Sequence, residues 1–207
     1  MTDTYLRASA GTMVIAMSLI LAVGLALISM GCYIKALNVR IDRLESKVNG
    51  YESRMNQVEE VFEQASEIKA YILKNAKCTP RQASEIAYQI MFVAKMEGLD
   101  PKLLAGMAKQ ESDFTPGAVG KLNERGLVQV RPTTFSEWHA GDLADWRATL
   151  EAGARYLSYC MRRFRDQRLA VAAYNAGPNR PTARILELSS RYAGRIMANR
   201  RAIGGAN

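Results

Sequence analysis

The stretch Met107-Ala108-Lys109-Gln110-Glu111-Ser112-Asp113-Phe114 reads as the end of a helix, with Glu111 in the last turn. Upstream, Asp100-Pro101 has the form of a helix start, a capping carboxylate followed by proline at the first helical position. Leu103, Leu104 and Met107 give that helix an apolar face. Working outward, residues 83–97 are amphipathic and stop at Gly98, while Thr79-Pro80 supplies an N-cap and a first-turn proline after the hinge-like Asn75-Ala76-Lys77-Cys78. Towards the C-terminus, helices are expected over 149–165 and 169–175, the latter stopping at Gly177-Pro178, and one or two more from Thr182 onward. No convincing strand pattern appears, so the chain is expected to be all-α. Partial burial of Glu111 would raise its pKa, and the negative end of its helix pushes the same way. On that local ground alone a surface glutamate is the favoured reading.

The N-terminal part has a different character. Between Arg7 and Lys35 there is no charged residue, and residues 13–28 are almost entirely apolar. A hydrocarbon core about 30 Å thick is crossed by a helix of about 20 residues. Residues 1–35 are therefore expected to form an uncleaved transmembrane anchor. A cleaved signal peptide is the alternative, but the apolar core is long for one and no small-x-small site follows cleanly. Gly31-Cys32 ends like a lipoprotein signal, whereas Ser29 and Met30 do not fit one. Ser18, Ala22 and Ala26 recur every fourth residue, a small-xxx-small hint of helix pairing in the bilayer.

Residues 36–75 are expected to form a coiled-coil stalk. Ile41, Val48, Met55 and Phe62 fall at heptad position a, and Leu37, Leu44, Tyr51, Val58 and Ala65 at d. Arg40, Lys47 and Arg54 fall at g, and Glu45, Glu52 and Glu59 at e. In a parallel homomeric coil each g residue meets the next e of the second copy, and all three pairs are opposite in sign. A homo-oligomer is expected. The alternative is one amphipathic helix folded back on residues 76–207, the expected helical domain; Gly50, Tyr51 and Phe62 weaken the coil.

Composition narrows the chemistry. The net charge is +8, with the excess arginine in the last third of the chain. Such a field attracts polyanions, among them nucleic acid, acidic lipid and acidic wall components. No nucleic-acid-binding motif accompanies it, so no specific nucleic acid partner is expected. Cys32, Cys78 and Cys160 sit at no metal-ligand spacing, and His139 is the one histidine, so no metal site is expected. A Cys78–Cys160 bridge is the pairing left open, and His139 reads as a surface residue.

Three blocks decide among functions. Glu111-Ser112 is followed by Gly126-Leu127-Val128-Gln129 and then by Ala173-Tyr174-Asn175-Ala176-Gly177, with Glu151-Ala152-Gly153-Ala154-Arg155-Tyr156-Leu157 before the last. In this order and spacing they resemble the soluble-lytic-transglycosylase family, whose domain has the lysozyme fold. The resemblance covers residues 83–180. It implies a lysozyme-like helical domain, no cofactor, and cleavage of the bond between N-acetylmuramic acid and N-acetylglucosamine in peptidoglycan. By the same resemblance Glu111 is the acid that becomes the base, and Tyr174 brings its hydroxyl near Glu111 and the scissile bond. Ser112, Gln129, Val128 and Asn175 are the implied substrate-side residues: Ser112 orients the loop after the helix, Gln129 bonds the sugar, and Asn175 holds the arrangement. Val128 stands where the family has methionine, the loop 120–125 replaces a stretch of small residues, and Thr149 replaces a common asparagine.

The implied reaction closes an anhydro ring on muramic acid, so one carboxylate suffices. A lysozyme-type hydrolase of the same bond, which wants a second carboxylate, is the alternative. Asp113 is too near Glu111 in sequence for that role, and Glu124 lies in a loop that reads as mobile. A wall-binding assembly protein without activity is the non-enzymatic alternative; Glu111, Tyr174 and Asn175 speak against it. Lys35, Arg40, Arg43 and Lys47 follow the anchor, which by the positive-inside tendency would put the C-terminal domain in the cytoplasm. Peptidoglycan lies on the opposite side, and the enzyme signature is given the greater weight: the domain is expected to face the periplasm and wall. A virion membrane protein of a bacteriophage, or part of an envelope-spanning apparatus, would suit this layout.

Overall fold

A computed structural model describes residues 2–205. Met1, Ala206 and Asn207, the outer ends of the expected anchor and domain, lie outside the described residues, as does the side chain of Arg7. The helices are α1 Thr2–Asn75, α2 Pro80–Glu97, α3 Pro101–Ser112, α4 Pro132–Trp138, α5 Trp146–Phe164, α6 Gln167–Ala176 and α7 Thr182–Ala202. Among the described residues there is no strand, as the sequence leads one to expect; two isolated antiparallel bridges, Val119 with Arg125 and Arg125 with Val130, fold the loop between α3 and α4. Contacts divide the chain into one unit up to Gln57 and another from Val58.

The first unit is the greater part of α1. It is long and apolar enough to cross a membrane, with a mean hydropathy of 2.6 in its most apolar window. Its polar side chains are accommodated locally. Ser18 Oγ donates to Val14 O at 2.9 Å and Ser29 Oγ to Ala26 O at 2.8 Å, so neither hydroxyl proton would enter hydrocarbon unsatisfied. Further along, the heptad side chains Ile41, Leu44, Val48 and Met55 are exposed.

The second unit begins while α1 is still running. Phe62 is 73% exposed, but Ile68 and Ile72 are 0% exposed and join the core of the helical domain. The end of α1 is therefore part of that domain's packing, and the break expected before Thr79 falls after it. Thr79 forms a full capping box with Gln82, and Pro80 opens α2. Gly98, in the left-handed conformation, closes it. Asp100 caps α3 through Lys102 N at 2.9 Å and also pairs with Arg200 of α7.

Leu103, Leu104, Met107 and Ala108 bury α3 in the centre of the domain. Its approach to α7 needs Gly106: a Cβ there would lie 3.0 Å from both Arg200 N and Ile196 O. Asn199 Nδ2 donates to Gly106 O at 3.1 Å across the same crossing.

Several expectations are corrected. Helix α4 was not read from the sequence, because a seven-residue helix shows too little periodicity to stand out. Helix α5 starts at Trp146, capped by Asp145, rather than at Thr149, which is buried and bonds back to Trp146 O at 2.9 Å. Of the two readings left open for Cys78 and Cys160, the structure has the unbridged one, with both thiols free and Cys160 buried. His139 is not a surface residue. Its side chain is 15% exposed, stacks beside Phe135 and meets Glu151 Oε2 at 3.2 Å.

Candidate active site

Glu111 sits in the last turn of α3, where the helix closes on the left-handed residue Asp113. The side chain is half-buried, and its Oε1 accepts a hydrogen bond from the Tyr192 hydroxyl of α7. Burial pushes the Glu111 carboxyl above the ordinary glutamate range, because the charged form loses hydration. The Tyr192 hydrogen bond opposes this, the negative charge of Glu124 adds to it, and the positive charge of Arg195 opposes it. Arg195 is itself held by Gln110, with Nε 2.9 Å from Gln110 Oε1. A carboxyl so placed keeps its proton to higher pH than a free one and is suited to giving it away.

Glu111 opens onto a cleft of about 690 Å³. Glu124, Gln129, Val130 and Arg131 line it from the loop before α4, and Tyr156 and Tyr174 from α5 and α6. Asn175 and Arg180 line it as well. The sequence blocks from α3, the loop and α6 thus meet at one site.

The residues singled out in the sequence take distinct places. Gln129 reaches the cleft on a backbone with φ of 46°, and its Nε2 donates to Gly126 O at 3.0 Å and Ala118 O at 3.3 Å. Ser112 is not among the lining residues; its hydroxyl lies 2.8 Å from Leu127 O and 3.1 Å from Ala108 O, tying the end of α3 to the loop. Val128 does not reach the cleft either. It is fully buried, and its methyl group packs over Gly153, where a Cβ would collide with Val128, Val130 and the Tyr174 hydroxyl. Its carbonyl nevertheless matters, because it accepts the Tyr174 hydroxyl at 2.9 Å. Asn175 Nδ2 donates to Ser189 Oγ at 2.8 Å, joining α6 to α7.

Tyr174 lies near enough to Glu111 for the glutamate charge to act on its hydroxyl, but the two are not hydrogen-bonded. Its one proton goes to Val128 O, and the hydroxyl that bonds Glu111 belongs to Tyr192. Burial raises both tyrosines well above the usual phenol range, so each stays a neutral donor. The rings of Tyr156 and Tyr174 lie 5.1 Å apart, which fixes the wall of the cleft. Sequence reasoning missed Tyr192 and set Glu124 aside. The first reads as a core aromatic on a helix, and the second as a loop charge. Glu124 is not in a mobile position: its side chain is 18% exposed and accepts Leu122 N–H at 2.9 Å. Among the described residues no group of three or more His, Cys, Asp or Glu side chains is placed to hold a metal ion.

Comparison with known proteins bears on the domain that carries this site. Residues 89–191 match the model of the Transglycosylase SLT domain. The chain is 31% identical over 97 residues to the membrane-bound lytic murein transglycosylase F of Alteromonas mediterranea, covering 44% of this chain and 21% of that one. It is 30% identical over 101 residues to the transglycosylase of Enterobacteria phage PRD1, covering 49% of this chain and 37% of that one. It thus spans between a fifth and two fifths of the length of these relatives. Among solved structures, the 70 kDa soluble lytic transglycosylase SLT70 of Escherichia coli superposes with a TM-score of 0.50 at 21% identity, over 56% of this chain and 23% of that one. The fold is shared at that level, the matched span holds Glu111, Gln129 and Tyr174 and stops one residue short of Tyr192, and the helical domain of this chain belongs to the transglycosylase SLT family.

Proposed function

We propose that this chain is a membrane-anchored lytic transglycosylase that cuts the glycan strands of peptidoglycan. The observation that carries the proposal is a half-buried, proton-retaining Glu111 opening onto a cleft with Gln129, Tyr174 and Asn175. Glu111 gives its proton to the glycosidic oxygen after N-acetylmuramic acid, and the bond to carbon 1 breaks. The carboxylate then takes the proton of the sugar's own carbon-6 hydroxyl, whose oxygen closes the anhydro ring. An internal nucleophile needs no captured water and is already near its target, which is where proximity lowers a barrier. The Tyr192 hydroxyl steadies Glu111 in both states. Gln129 presents its amide oxygen to the sugar, its two N–H groups being held by the loop, Tyr174 holds the loop carbonyl of Val128 in place, and Ser112 and Asn175 tie the elements that carry them.

The wider layout belongs to the same proposal. Residues 1–35 anchor the chain in a membrane and the exposed part of α1 from residue 36 to Phe62 forms a parallel coiled-coil stalk, pairing Arg40, Lys47 and Arg54 with Glu45, Glu52 and Glu59 of a second copy. Residues 76–207, braced by the last turns of α1, supply the catalytic domain, facing the periplasm and wall. The apolar helix and the similarity to both a membrane-bound enzyme and a phage transglycosylase support a local opening of the wall, either in phage entry or by an envelope-spanning apparatus. The test is a zymogram of the detergent-solubilised chain on purified peptidoglycan beside Glu111→Gln. Loss of a positioned general acid costs about 10²–10⁴-fold in rate, so the variant should leave no clearing. Clearing by a folded Glu111→Gln chain would overturn the reading.

A further inference from the structure

We propose that Glu124 is a second catalytic carboxylate of the cleft and that it activates water, so that part of the cut glycan leaves with hydrolysed ends. This rests on the glycan-cleavage reading above and adds a branch to it. Glu124 comes from the loop before α4, whereas Glu111 comes from α3, yet both line the same cleft. One Glu124 oxygen accepts Leu122 N–H at 2.9 Å, and the other faces Arg131 Nε at 3.7 Å. The room for this carboxylate is made by Gly120: a Cβ there would collide with Glu124 Oε2 and with the amide oxygen of Gln129. Glu124 and Gln129 therefore lie together over a bare stretch of backbone at the cleft wall. The charge of Glu124 is felt at Glu111, whose proton it helps retain. A protonated acid and a separate carboxylate from different elements of one cleft are the two parts that hydrolytic glycosidases use.

The chemistry branches after the shared first step, in which Glu111 protonates the glycosidic oxygen and the bond to carbon 1 breaks. In the internal branch the carbon-6 hydroxyl oxygen bonds to carbon 1 and its proton goes to Glu111. In the water branch a water oxygen bonds to carbon 1 and its proton goes to Glu124. Solvent exchange then returns a proton from Glu124 to Glu111, and both groups are restored. The anhydro product is lighter than the hydrolysed one by one water.

The experiment is mass spectrometry of muropeptides released from purified peptidoglycan by the full-length chain in detergent, as wild type, Glu124→Gln, Glu124→Ala and Glu111→Gln. Wild type should release both kinds of end. In the two Glu124 variants the hydrolysed share should fall by about tenfold or more, as expected for loss of a general base, with anhydro ends remaining. Glu111→Gln should release neither. An unchanged hydrolysed share in the Glu124 variants overturns the proposal, and so does a wild type that yields anhydro ends alone. Loss of both kinds of end in Glu124 variants that keep a native circular dichroism spectrum overturns it too, because a base for water is not required by the internal branch. If wild type releases nothing, or Glu111→Gln still cuts, the cleavage reading itself fails and this branch with it.

Discussion

At the scale of the residue, the behaviour of Glu111 is a balance among four influences. Burial and Glu124 raise its pKa, while the Tyr192 hydroxyl and Arg195 lower it. A general acid works only while protonated, so the alkaline limb of the rate profile follows this pKa. Tyr192→Phe removes a hydrogen bond that favours the charged form, and the pKa therefore rises. The alkaline limb of kcat/KM should move to higher pH, while kcat at the optimum falls because the carboxyl is no longer held in place. A tyrosine that merely packed α7 would lower activity without moving the limb, and an unmoved limb would reduce Tyr192 to that role. The sign for stability is separate. A carboxyl with a raised folded pKa stabilises the fold below its unfolded pKa, and that contribution is lost as pH rises through the folded value.

At the scale of the element, the crossing of α3 and α7 decides whether Tyr192 reaches Glu111. Gly106 sets the distance of that crossing, with Arg200 N and Ile196 O as the backbone atoms a side chain would meet. Gly106→Ala should force the helices apart, cost about 1–3 kcal/mol as overpacking does, and weaken catalysis by displacing Tyr192. A variant with wild-type Tm and wild-type rate would show that the crossing yields freely. The outer part of α1 makes a different prediction. Leu44 occupies a d position, where two parallel copies face each other. In a Cys32→Ala, Cys78→Ala chain, Leu44→Cys should form a disulfide-linked dimer on mild oxidation, whereas Cys at the outward Ser46 should not. Equal crosslinking at both positions, or none at either, would count against the parallel stalk.

At the scale of the whole molecule, α1 serves two units at once. Its N-terminal part has the length and hydropathy of a membrane span, and its last turns lie in the core of the helical domain through Ile68 and Ile72. Tyr71 meets the Phe114 ring edge-on, and Lys109 Nζ donates to Asn75 O at 2.9 Å, so these turns also brace the segment that follows Glu111. Truncating a buried isoleucine to alanine costs about 2–5 kcal/mol, and in a domain of this size each kcal/mol moves Tm by about 2–4 °C. A fragment of residues 76–207 should therefore melt on the order of 10 °C or more below one of residues 58–207. Equal melting temperatures would mean that the end of α1 is an appendage.

Features under the control of local chemistry were legible in the amino-acid order alone. Thr79-Pro80 and Asp100-Pro101 start helices because a side-chain oxygen satisfies free backbone N–H groups a few residues away, and Gly98 stops one because it tolerates a positive φ. The apolar run before Lys35 was legible for the same reason, since length and hydropathy need no partner. Three ordered blocks also pointed to Glu111 and to the cleft that now contains Gln129, Tyr174 and Asn175. Tertiary structure alone decided which hydroxyl bonds Glu111, because Tyr192 lies 81 residues away along the chain and arrives only through the α3–α7 crossing. It alone turned Val128 into the core and left its carbonyl to Tyr174. It alone brought Glu124 to the cleft, since the side chain finds its place over Gly120 only once the loop has folded back on itself. Contacts of this kind depend on how elements pack, and no pattern within one element encodes them.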